Sequence, residues 1–140
     1  MPIRSRWTNQ FTELPSQSNF HNKVRELLCS DRILKGFSAY QEVPVADLCP
    51  DYPGRHYFDW YIEELNLVVE LHGQQHYKVV NRGNIAYALA QRDFQEIKGR
   101  DAQKKAAALA AGYRYLEISY KEYPKLDAER LKSLLFEVSA

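Results

Sequence analysis

Hydrophobic residues recur along the chain in two rhythms. Phe20, Val24, Leu27 and Leu28 fall at helical spacing, with Ser16 or Ser18 placed to cap the N-terminus and Gly36 to stop the helix. The rhythm then shortens. Ala39 to Val45 sets Tyr40 and Val43 among polar neighbours, the pattern of a strand, and Pro44 marks an edge position or that strand's end. Asp47 to Arg55 contains two prolines and a glycine and reads as an exposed connection. His56 to Ile62 and Leu67 to Leu71 follow as two short strands around the polar turn Glu63-Glu64-Leu65-Asn66, which predicts a hairpin.

After Gly73 a polar loop gives way, from about Ala86 to Ala111, to a helical stretch rich in Ala, Gln, Lys, Arg and Glu that Gly112 should end. Gly99 inside it costs about 1 kcal/mol relative to alanine and is where a break or bend would fall. Tyr113 to Ser119 predicts a last strand, and Asp127 to Val138 an amphipathic helix capped near Asp127. The order is helix, three strands, helix, strand, helix: an α/β (α+β) fold with a central mixed sheet flanked by helices. A chain of 140 residues fits one domain with one core, with residues 1–15 as an N-terminal arm.

Composition narrows the class. With 45% hydrophobic and 26% charged residues, neither disorder nor a fibrous structure is expected. No apolar run reaches the roughly 18 residues of a membrane span, and the N-terminus does not read as a signal peptide, so a cytoplasmic protein without a membrane partner is expected. Cys29 and Cys49 lack the paired spacing of a zinc or redox motif. A net charge of +1 does not by itself point to nucleic acid. Its distribution is more informative: Arg4 and Arg6 flank Trp7, and Arg92, Lys98, Arg100, Lys104 and Lys105 cluster on the long helix. Such groups either neutralise phosphates or form a solvated helix face.

The densest chemistry lies between Phe58 and Tyr77. Across a hairpin turning at residues 63–66, Asp59 and Glu70 come roughly opposite each other, where side chains stand about 5 Å apart. Two carboxylates so close repel unless a cation or a shared proton joins them, and a hard divalent ion is the usual solution; otherwise both point to solvent. Glu70 closes the apolar run Leu67-Val68-Val69, so it sits where a buried strand emerges. His72 and His76 follow, with unperturbed pKa values near 6.5 suited to proton transfer at neutral pH. On the long helix, Asp101 shares a face with Phe94 and Ile97 and is either paired, for instance with Lys105, or functional; Asp93 is a weaker candidate.

Together these residues resemble the PD-(D/E)XK nucleases, especially the very-short-patch-repair-like branch that includes phage homing endonuclease domains. The resemblance spans residues 16–120, about three-quarters of the chain. It implies a restriction-endonuclease-like core. The first acidic position of the motif falls on Asp59 and the second on Glu70, and His72 stands where the motif lysine is expected. Gly73-Gln74-Gln75-His76 resembles the Gly-x-x-His element of the histidine-using branch, and Arg100-Asp101-x-x-Lys104 followed by Gly112-Tyr113 resembles the helix and strand after the hairpin. In related nucleases the first helix and first strand can add polar groups to the site, which makes His21, Gln41 and Glu42 outside candidates.

The implied activity is hydrolysis of a DNA phosphodiester with Mg2+ or Mn2+ held by Asp59, Glu70 and the Leu71 carbonyl, assisted by His72 or His76. The alternative is a catalytically inert nucleic-acid-binding module on the same fold. A zinc hydrolase built on His72, His76 and a carboxylate lacks the helical His-Glu-x-x-His spacing. With little room for a recognition domain, any sequence selectivity would come from a homodimer or an accessory specificity protein.

Overall fold

In the computed structural model, residues 7–30, 36–77 and 87–139 are described. The first helix forms as α1, Asn19–Ser30. Ser18 is its cap, its Oγ accepting the His21 amide at 3.1 Å and satisfying one of the first-turn donors. The predicted stop, Gly36, lies past residues 31–35, which are outside the described residues.

Five strands make one mixed sheet in chain order: β1 Thr8–Asn9, β2 Ala39–Pro44, β3 Tyr57–Ile62, β4 Leu67–His72 and β5 Arg114–Ser119. All pairs are antiparallel except β4 with β5, which are parallel and joined by a long crossover. The hairpin turns through a 3-10 segment, Glu63–Leu65, closed by Asn66 in the left-handed region at φ 49°.

The crossover contains α3, Tyr87–Ala110. It runs through Gly99 without the break that this residue could have introduced: the residue is exposed and a side chain there would meet nothing within 4 Å. Gly112, at φ +91°, turns the chain out of the helix as its sequence position required. The last helix is α4, Ala128–Ser139, where Asp127 Oδ1 accepts the Arg130 amide at 2.8 Å.

Two expectations change. The supposed arm is part of the sheet from Trp7 onward: Trp7 is buried edge-on to Tyr40 and Tyr61 and donates to Asp47, and β1 covers what would have been the β2 edge. Pro44 therefore marks the end of an interior strand. The connection read over residues 47–55 holds from Cys49 onward, turning at Pro50–Asp51 with Pro53 and Arg55 exposed, but its first two residues belong to a one-turn helix, α2 Val45–Leu48, and Cys49 and Tyr52 are buried in the core.

The sheet separates two cores where one was expected, because helices on both faces bury each face separately. On one face α1 and α4 pack Phe20, Val24, Leu28, Leu131 and Leu135 against Trp60, Ile62, Leu67 and Val69. On the other, Ala108 of α3 and the α2 segment pack on Val43, Phe58, Tyr61 and Val68. Phe58 and Trp60, two apart on one strand, thus belong to opposite cores. The switch occurs beside Glu42, whose φ of 48° is a conformation that costs a non-glycine residue about 1–3 kcal/mol.

Among the described residues, no helix is long and apolar enough to cross a membrane.

Candidate active site

The buried and half-buried residues Ala90, Phe94, Ile97, Asp101, Lys104 and Ala108 of α3 stand three or four apart on one face. Two of the six are charged, and both lie over the end of the hairpin. Lys104, only 7% exposed, brings its ammonium to 3.0 Å and 3.1 Å from the two oxygens of Glu70, itself 3% exposed. Burial, then the nearby charge of Asp59, pushes the Glu70 carboxyl up to about 8, with Lys104 opposing the rise.

The hairpin register, Trp60 facing Val69, carries Asp59 to the level of Glu70, as the spacing predicted. Here side chains interleave with the backbone. Asp59 Oδ2 accepts the Leu71 amide at 2.7 Å, and the Asp59 amide donates to Glu70 Oε1 at 3.3 Å. The two acids are therefore fixed in one place.

Next along β4 lies a histidine cluster. The rings of His72 and His76 stack in parallel, 4.1 Å apart, because a 3-10 turn over Gln74–His76 folds His76 back over the strand end. His76 Nδ1 lies 2.7 Å from Asp101 Oδ2, and His72 Nδ1 lies 2.8 Å from Glu117 Oε1. Glu117 also accepts the Tyr77 hydroxyl at 2.9 Å. Burial and the neighbouring His76 hold the His72 pKa below its ordinary value, so its ring is neutral near pH 7. A shallow cavity of about 210 Å³ opens beside His76 and Asp101, with Lys98 and Lys105 on its wall.

The remaining candidates divide. Asp101 pairs with the histidines rather than with Lys105, whose ammonium lies over Tyr115. Lys98 and Arg100 are exposed, and Lys98 lies over Phe94. Arg92 pairs loosely with Glu96, and Asp93 points to solvent, away from the acids. Lys104, expected on the phosphate-contacting surface, is buried on Glu70 instead, because the helical period puts it on the sheet-facing stripe. His21 and Gln41 also lie away from the cluster: His21 is buried, stacked on Trp60, and bonds Gln41 Oε1 at 2.8 Å, while Gln41 Nε2 holds the carbonyls of Asn9 and Thr12. Glu42 is exposed and bonded by Gln17. Arg4, Arg6 and the side chain of Gln75 lie outside what is described.

Sequence reasoning missed Glu117, because its alternation with Leu116 and Ile118 reads as a solvent-facing position. It also missed His56 and Tyr52, which bond each other near Arg100; the charges of Arg100 and Lys104 add to burial in lowering the His56 pKa.

Comparison with protein-family models gives no match, and comparison with curated proteins finds no relative.

Proposed function

We propose that this chain is a divalent-metal-dependent endonuclease that hydrolyses DNA phosphodiesters on a PD-(D/E)XK-type, restriction-endonuclease-like core. The observation that carries the reading is the Asp59–Glu70–Lys104 constellation at the hairpin end: two interlocked carboxylates with a buried ammonium on the second. In the resemblance the lysine comes two residues after the second acid. Here α3 supplies an ammonium to that acid from position 104, while His72 takes the strand position.

A hard divalent cation fits these residues. Glu70 is a carboxylate whose charge burial and Asp59 disfavour, and a nearby positive ion would relieve that penalty. Asp59, Glu70 and the Leu71 carbonyl would hold Mg2+ or Mn2+, which when bound polarises a phosphoryl oxygen and acidifies a water. Lys104 places its side-chain nitrogen against both oxygens of Glu70. His76, oriented through Nδ1 by Asp101, presents its other nitrogen to accept a proton. Lys98 and Lys105 are exposed around it and Arg100 is exposed near Tyr52 and His56, and these cations supply salt-dependent backbone contacts to DNA.

The test is plasmid cleavage with Mg2+ or Mn2+. Wild type should nick or cut and stop with chelator, and Asp59→Asn, which keeps an acceptor for the Leu71 amide, should lose activity by about 10³-fold. Absence of cleavage by folded wild type, or equal cleavage by Asp59→Asn, overturns the reading; salt-sensitive binding without cleavage would leave an inert binding module.

A further inference from the structure

We infer that His72, His76 and Asp101 form a second metal site, distinct from the carboxylate pair and suited to borderline cations of the Zn2+ class. Two imidazoles and one carboxylate are a donor set for zinc, whereas Mg2+ takes oxygen. The three ligand atoms lie within 4.8 Å of one another.

The orientation of His72 argues for a cation rather than a hydrogen-bonded cluster. Its Nδ1 faces Glu117 Oε1 at 2.8 Å, and Glu117 is itself held by the Tyr77 hydroxyl, so the imidazole proton belongs on Nδ1. That leaves a lone pair on Nε2. This atom is buried without a hydrogen-bond partner, and it lies 3.8 Å from Asp101 Oδ1, another lone-pair donor. Two acceptors facing each other this closely need a donor or a cation between them, and among the described residues no donor reaches His72 Nε2. An unsatisfied buried polar atom carries an uncompensated desolvation cost, which a bound cation would remove.

The distances suit such an ion. Zinc ligands bonded at about 2.0–2.2 Å stand roughly 3.3–3.6 Å apart around a tetrahedron. His76 Nδ1 and Asp101 Oδ2 are 2.7 Å apart, His72 Nε2 and Asp101 Oδ1 3.8 Å, and the three ligand atoms lie within 4.8 Å. Shifts of roughly 1–1.5 Å, with one ring turning out of the His72–His76 stack to bring both lone pairs into plane with the ion, therefore complete the site. The metal would take the place of the proton between His76 and Asp101. Three protein ligands leave a fourth position open, the pattern of a site that exchanges its outer ligand. Glu117 acts on the site through His72 and is a positioning residue.

One consequence rests on the nuclease reading: a metal on His76 and Asp101 occupies the proton-accepting pair, so Zn2+ should inhibit Mg2+-supported cleavage. The site itself does not rest on that reading.

The experiment titrates chelator-stripped protein with Zn2+ alone by calorimetry and with Co2+ alone by visible absorption, each variant first checked for native circular dichroism. Wild type should take up stoichiometric Zn2+ and give Co2+ ligand-field bands of a nitrogen-containing site. Affinity should fall by about 100-fold in His76→Ala and Asp101→Asn and by about 10–100-fold in Glu117→Gln, and should stay unchanged in Asp59→Asn. His72 itself is left intact because it lies in the core. Absence of stoichiometric Zn2+ uptake, binding that survives in both His76→Ala and Asp101→Asn, or binding lost only in Asp59→Asn overturns the inference. Failure of the protein to cut DNA leaves the metal titration unaffected, so the two readings fail separately.

Discussion

The two faces of the sheet are built from the same strands but under different constraints. Beneath α1 and α4 the core is hydrocarbon and aromatic, and its buried polar pair, His21 with Gln41, is bonded to neighbours on the sheet and the N-terminal segment. Beneath α3 lie Glu70, Lys104 and His72, all buried, with a carboxyl pushed up to about 8 and an imidazole nitrogen left without a partner. Groups that dislike burial are retained there by the packing around them. A face that only had to stabilise the fold would be expected to carry apolar residues at positions 70, 101 and 104. One core therefore supplies stability, and the other uses some of it to hold charges in place.

Breaking the buried pair gives the largest expected effect. Measured at about pH 9, where the Glu70 carboxylate is ionised, Lys104→Ala leaves its charge buried and uncompensated and should destabilise the fold by about 3–5 kcal/mol in urea titration, whereas the double substitution Glu70→Leu with Lys104→Met should be neutral or stabilising by about 1–4 kcal/mol while abolishing cleavage. Equal losses in the single and double variants would mean that the pair is a net source of stability. On the apolar face, Leu131→Ala should cost about 2–5 kcal/mol with Mg2+-dependent activity per folded molecule preserved.

A third measurement uses pH. The Glu70 carboxyl has an ordinary value of 4.5 and a native value of about 8, so the native state binds the extra proton between them. Its contribution is therefore fully present below 4.5 and lost as pH rises through about 8. Without divalent metal, wild type should lose stability between about pH 7.5 and 8, where His72, with an ordinary value of 6.5 and a lower native one, is largely neutral in both states, and Glu70→Gln should remove that slope. The same decline in both proteins would assign it to another group. The smallest effect belongs to the apolar side: Ser18→Ala, removing the α1 cap, should cost about 1 kcal/mol and leave the pH slope untouched.

Local chemistry determined much of this protein. The period of Phe20, Val24 and Leu28, a serine cap at Ser16 or Ser18, the turn at residues 63–66 and the stop at Gly112 are contained within one element or one turn, so they were legible in the chain, as was the level at which Asp59 meets Glu70. Long-range packing decided the rest. Trp7 enters the sheet through contacts with residues 40, 47 and 61, and Glu117 reaches His72 across a parallel strand pair that sequence spacing cannot register. Lys104 read as one more cation on a basic helix. Only the seating of α3 on the sheet turned it inward to Glu70, because the helical period specifies which residues share a face, and tertiary packing decides what that face meets.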